Sequence, residues 1–306
     1  MEKGRLLAVG ITLLFLLSVL LSVALTQSVG QPLEITEDNL TKALDEDGPV
    51  TFEAGKGLIL EFGPANPEDL PLRELTVRDG ETKVKHFTDA GFYASYARIE
   101  QTPAVYWVIS LFTGGAHCCA EYEFFSRPAP DQPVRYLGMT GGHNGEPQKL
   151  TQAFVLKDNN LYFQDLDNRF DYFHDNRAGS VLVNFPYRYY LLTPTSFKVV
   201  NTAFKDEYLQ AAPAVDEQIS QAANSGRSNA PAILVQNGSG RGVDGLHFSD
   251  ELGRLLVKRT ILLLYAREDI KAWQDLQNDV KKYYQTTRWL PELRRDIQRL
   301  LFSKPY

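Results

Sequence analysis

Residues 113–119, Thr-Gly-Gly-Ala-His-Cys-Cys, gather the most reactive side chains of the chain into one short segment. Cys118 and Cys119 are the only two cysteines, and His117 precedes them directly. Four states of this turn are chemically distinct. A thiolate nucleophile needs an imidazole base within reach. Neighbours on a strand point to opposite faces, however, so His117 shares a face with Cys119 and not with Cys118. A soft-metal site could draw on His117, Cys118, Cys119 and His143, the last from Gly141-Gly-His-Asn-Gly145. The two thiols could close a disulfide between adjacent residues, a strained bond that the flexible Gly114-Gly115 pair would help to accommodate. Buried free thiols would act simply as small hydrophobes. Gly114, Gly115, His117, Cys118 and Cys119 are therefore the candidate functional turn.

Two further motifs carry less chemistry. Asp165-x-Asp167-x-Arg169-Phe170-Asp171, with Asp175 beyond, is the densest carboxylate cluster. A calcium loop places oxygens at alternate positions with a glycine for the sharp turn. Here a guanidinium and a phenyl ring hold those places, so the cluster reads as an acidic loop paired with Arg169 and Arg177. Gly240-x-Gly242-x-x-Gly245 matches a dinucleotide fingerprint in spelling only, because that motif needs a parallel strand after its helix. Here helix follows helix, and the glycines read as a linker. There is no Ser nucleophile elbow, HExxH pair or phosphate-binding loop. His86, His174 and His247 stand alone. Catalytic residues stay unassigned, and no cofactor or metal is expected.

The elements that would position these residues are short strands. Alternation and β-forming residues mark 57–62, 105–112, 180–185 and 187–192. Residues 75–85 read as a hairpin turning at Asp79-Gly80. Residues 153–164 read as another, turning at Asp158-Asn159-Asn160 with both asparagines at positive φ. No crossover helix interrupts this part, so its sheets should be antiparallel. A short helix is expected over 214–223 and a Gly/Ser/Asn-rich connector over 224–248. Helices then follow from Ser249, from Glu268 to Tyr284 and from Pro291. The second should bury Ile270, Trp273, Leu276, Val280 and Tyr283, and the third Leu293, Ile297, Leu300 and Leu301. The predicted fold is α+β: an antiparallel β domain over 31–210, sandwich-like or strongly twisted, then a helix and linker over 211–248. A helical segment over 249–306 packs on the β domain.

Lys3 and Arg5 followed by an apolar run from Leu6 to Leu25 form an export signal over residues 1–30. It reads either as a signal peptide, cut after Ala24 or Gly30, or as an uncleaved membrane anchor. Either way the remainder is expected in the periplasm or outside the cell. The 306 residues carry a formal charge of −6. Residues 250–306 hold 12 Lys/Arg against 8 Asp/Glu, so the body before them is strongly acidic. That excludes general nucleic-acid binding, which requires a basic footprint. The many Tyr and Phe between 86 and 208 could line a sugar or peptide groove, or fill a core.

Thr113-Gly-Gly-Ala-His-Cys-Cys119 and the strand pair leading into Asp165–Phe173 resemble a family of exported bacterial proteins that has no assigned activity. Members carry a Gly-Gly-Ala-His-Cys-Cys segment, an acidic loop with glycines and a helical tail. The likeness covers about 105–205 and, more loosely, 268–306, and the acidic loop here lacks the glycines. The resemblance implies export and shape without chemistry. The expected function is a non-catalytic envelope protein that binds a ligand or an envelope or extracellular partner. The rival is an exported hydrolase or thiol enzyme with its site at His117, Cys118 and Cys119. Oxidation outside the cytoplasm leaves each cysteine only the other as an intramolecular partner. Intact mass of protein from its native compartment should therefore rise by about 2 Da on reduction, the two hydrogens of one S–S bond. Two alkylatable thiols without reductant would refute the bond.

Overall fold

The computed structural model describes residues 34–40, 48–64, 73–90, 93–112, 120–143, 148–170, 186–225, 232–234, 245–247 and 251–302. The chain divides into Met1–Glu34 and Ile35–Tyr306, and the second holds all but the first described residue. The export segment, residues 1–30, and the strand expected over 180–185 lie outside the described residues.

Strands β2 (Val50–Glu53), β3 (Leu58–Phe62), β4 (Arg73–Asp79) and β5 (Thr82–Ala90) form an antiparallel meander. A second sheet has the order β1 (Glu34–Asn39), β6 (Tyr93–Gln101), β7 (Ala104–Phe112), β8 (Ala120–Arg127), β9 (Arg135–His143). The third is β10 (Phe154–Lys157), β11 (Asn160–Leu166), β12 (Tyr187–Thr193) and β13 (Ser196–Val199), again antiparallel. The α+β architecture, antiparallel sheets followed by C-terminal helices, is as the sequence implied.

Burial explains why the strands differ in composition. In β3 alternate residues are buried, as in a strand with one wet face. The second sheet lies between the other two, so β7 and β8 are buried on both faces, and β7 reads as a nearly continuous apolar run. One face presents Trp107, Ile109, Leu111 and Phe125 to Leu58, Leu60, Phe62, Leu75 and Val77 of the first sheet. Trp107, fully buried, donates from its indole to the Ala54 carbonyl at 3.1 Å. The other face meets the third sheet through rings: Phe124 stacks on Phe197 at 4.1 Å and stands edge-on to Phe163 at 4.9 Å. Offset and edge-on pairs of this kind add about 0.5–1.5 kcal/mol each beyond their buried area.

Both hairpin turns lie where the alternation places them, each shifted by one residue. Asp79 pairs with Thr82, so the loop is Gly80-Glu81, and Gly80 takes φ 56°. Glycine at the first central position with an ordinary second residue is a type II′ turn, not the Asp-Gly turn expected. In the other, Lys157 pairs with Asn160 and the loop is Asp158-Asn159, at φ 50° and 59°. The positive-φ pair of this I′ turn is therefore Asp-Asn, and Asn160 belongs to the strand.

After a one-turn helix α1 (Leu150–Ala153), the helical layer comprises α2 (Lys205–Asn224), α3 (Glu251–Tyr265), α4 (Asp269–Tyr284) and α5 (Leu290–Phe302). It packs on the outer face of the third sheet through Tyr162, Tyr189, Phe204 and Tyr208. Helix α2 is twice the length expected over 214–223. It runs through Pro213, whose exposed position leaves the broken backbone bond to water. Helix α4 buries Ala272, Leu276, Val280 and Tyr284, a strict i, i+4 stripe; Ile270 is 76 % exposed, while Trp273 and Tyr283 are half-buried. Leu276 and Val280 are thus buried as expected, and Ala272 and Tyr284 complete the face in place of Ile270, Trp273 and Tyr283. The connector is not featureless: β14 (Ala232–Leu234) pairs antiparallel with β15 (Gly245–His247). Gly245 therefore opens a strand, not a helix, which removes the dinucleotide motif's geometry. Among the described residues no helix is long and apolar enough to cross a membrane.

One acid in the core between the first two sheets has a measurable consequence. Glu123 is 2 % exposed and accepts from the Tyr136 hydroxyl at 2.8 Å. Burial pushes its carboxyl up to about 7; the Tyr136 bond and Lys85 oppose this and Glu121 adds to it. The folded state therefore holds this proton more tightly than the unfolded chain. Its stabilising contribution is complete below pH 4.5 and is lost as pH rises through 7, about 3 kcal/mol in all. Glu123→Gln should flatten the fall in melting temperature between pH 5 and 8 and be the more stable form at pH 8. An unchanged profile would refute this.

Candidate functional site

The described residues nearest the Cys-Cys segment are the strand ends that carry it. Phe112 pairs with Ala120, and Ala120 with His143. Gly114, Gly115, His117, Cys118 and Cys119, and with them the disulfide, lie outside the described residues. Two residues in from those ends, Ser110, Tyr122 and Thr140 stand side by side across β7, β8 and β9, buried and facing the third sheet. The Ser110 hydroxyl has no hydrogen-bond partner among the described residues.

Opposite this row is the end of the β11–β12 ladder, where Asp165 pairs with Arg188 and Leu166 with Tyr187. Alternation turns Asp165, Arg188 and Tyr190 toward the central sheet, and Tyr187 and Tyr189 toward the helices. Thr140 Oγ1 donates to Asp165 Oδ2 at 3.0 Å and lies 2.7 Å from the Tyr190 hydroxyl. Arg188, 4 % exposed, has its guanidinium 5.2 Å from the centre of the Tyr190 ring.

The acidic loop is locked by its own arginine. Asp167 accepts from Arg169 Nε and Nη2, both at 2.8 Å, and from the Tyr265 hydroxyl of α3. Arg169 Nη1 donates onward to the carbonyls of Leu300 and Leu301 at 2.7 and 3.0 Å, near the C-terminal end of α5. The guanidinium thus occupies the place a cation would take. Among the described residues no group of three His, Cys, Asp or Glu side chains could hold a metal. Asp171, Asp175 and Arg177 lie outside the described residues.

On the helix side of the same ladder end a cleft of about 340 Å³ opens between Leu166, Pro186, Tyr187 and Tyr189 on one wall and α2 and α3 on the other. Tyr208 of α2 donates to the Tyr187 carbonyl at 2.8 Å, and Tyr189 stacks on Phe204 at 3.5 Å, so the aromatic wall is rigid. Burial raises the hydroxyls of Tyr189 and Tyr208 above the usual tyrosine value, keeping them neutral. Lys258 of α3 lines the cleft, and burial alone pushes its amine below the ordinary lysine value. The sequence hints at this only through a lysine inside the apolar run 252–265. Comparison with family models, curated proteins and solved structures returns no match.

Arg169 and Asp167 are buried partners, so removing one leaves the other's charge uncompensated, at a cost of about 3–5 kcal/mol. Urea unfolding should show that loss for Arg169→Met and a smaller one when Asp167→Asn is added. If the two losses simply summed, the lock would be disproved.

Proposed function

We propose that the chain is an exported, non-catalytic binding protein that holds a small molecule in the cleft beside Tyr187, Tyr189 and Tyr208. Export is supported by Lys3, Arg5 and the apolar run that follows them. Binding is supported by one observation above all: an open cavity of about 340 Å³ with a braced aromatic wall. This is the size and lining of small-molecule sites, mostly apolar with a few polar groups to orient the ligand. Tyrosine suits the task because its ring offers contact area with little conformational freedom to lose.

Ala211 lines the cleft from the exposed side of α2, so a large side chain there fills the cavity without entering the core. In a thermal-shift screen of several hundred small metabolites, compounds that stabilise the wild type should fail to stabilise Ala211→Trp. A ligand at about 100 times its Kd should contribute about 2.7 kcal/mol. A screen in which no compound distinguishes the two proteins would overturn the proposal.

A further inference from the structure

We propose that the molecule held in this cleft is a small organic anion, its carboxylate on Lys258 and its apolar body against the tyrosine wall. This inference rests on the cleft being the binding site.

The argument begins with charge balance. Helix α3 carries two neighbouring cations in its middle, half-buried Lys258 and buried Arg259, and they are treated differently. Arg259 donates to Asp216 at 2.8 Å and also to Asp279, so its charge is matched. Lys258 forms no hydrogen bond or ion pair with any described residue. The one carboxylate lining the cleft, Glu207, is held elsewhere, 2.9 Å from Lys157 Nζ. It also stands in the first turn of α2, where the helix dipole favours a negative charge. The cleft therefore keeps one uncompensated positive charge.

The walls say what else the ligand must be. Leu166, Pro186, Ala214, Val215 and Leu262 line the same cleft with hydrocarbon. The Tyr208 hydroxyl is already committed to the Tyr187 carbonyl, and of the remaining polar lining, Gln218 and the hydroxyls of Tyr187 and Tyr189 are neutral, which leaves the lysine as the cationic anchor. A neutral guest would bury the amine further without a partner, which costs free energy. A cation would be repelled. An anion restores the match and gains from the low local dielectric. The lowered amine value agrees: burial disfavours its charged form, and a bound carboxylate would favour it again.

Four probes test this with the purified chain by titration calorimetry: 4-hydroxyphenylacetate and octanoate, each beside its uncharged amide. Either acid should bind wild type at least about tenfold tighter than its amide. Lys258→Met should erase that preference by weakening the acid alone, and Lys258→Arg should keep it. Ala211→Trp should abolish binding of acid and amide together. Equal binding of acid and amide, both lost in Ala211→Trp, would overturn the anion inference while leaving the cleft intact. Binding that survives Ala211→Trp, or no binding of either acid, would overturn the inference together with the cleft.

Discussion

Asp167 is buried to the last atom of its side chain, and the junction of sheet and helices is organised around neutralising it. Arg169, two residues on, supplies the charge. Because its guanidinium is a fork, it also reaches the last turn of α5. The Tyr265 hydroxyl completes the set from the end of α3. One ion pair thus ties the end of a strand to two helices. Its effect reaches the cleft by geometry alone: Lys258 lies seven residues before Tyr265, two turns along the same face of α3. Anchoring Tyr265 fixes the rotation of the helix, and that rotation turns Lys258 toward β11 and β12.

The central sheet imposes the second constraint. With neighbours on both faces, its middle strands have little wet surface on which to place a polar residue, so most of their polar side chains find a partner. Trp107 finds the Ala54 carbonyl, Ser126 the Pro194 carbonyl, and Glu123 the Tyr136 hydroxyl. Glu123 is the exception that titrates, because a single neutral donor does not balance a buried carboxylate. The polar row of Ser110, Tyr122 and Thr140 lies toward the strand ends that carry the Cys-Cys segment, where the ring packing of Phe124, Phe163 and Phe197 gives way to polar contacts.

Period-2 alternation and turn residues made β3, β7, β12 and the two hairpins legible, and the helical periods made α3 to α5 so. Strands β6, β8 and β9 of the central sheet were not marked, because burial on both faces and polar residues such as Glu121 and Glu123 blur the alternation. Other errors were of phase. Gly80 could be placed at either turn position from sequence, and the ladder chose the first. In α4 both Trp273 and Ile270 satisfy a helical stripe by hydrophobicity. Only packing against α3 and α5 selects Ala272 in their place, because a small side chain lets the helices approach. Helix α2 begins well before the expected residue 214 and runs through Pro213, which sequence alone does not show to be exposed. The cleft was less legible still. Tyr187, Tyr189 and Tyr208 lie in two elements, and each reads as an ordinary core aromatic until the third sheet and α2 meet.

Lys258 shows why a site can hide inside a structural pattern. Within the run from Leu252 to Tyr265, a lysine first reads as a reason to reject a membrane span. Arg254 and Arg259 read the same way, and Arg259 turns out to be structural, neutralised by two aspartates from neighbouring helices. A cation placed for stability alone would be neutralised likewise. Selection for folding favours a partner or an apolar substitute, because an unmatched buried charge lowers stability. Lys258 has neither, and it faces a braced aromatic wall across the cleft. Stability forgone at a half-buried position, beside a cavity of small-molecule size, is what a binding site requires: the matching charge arrives with the ligand.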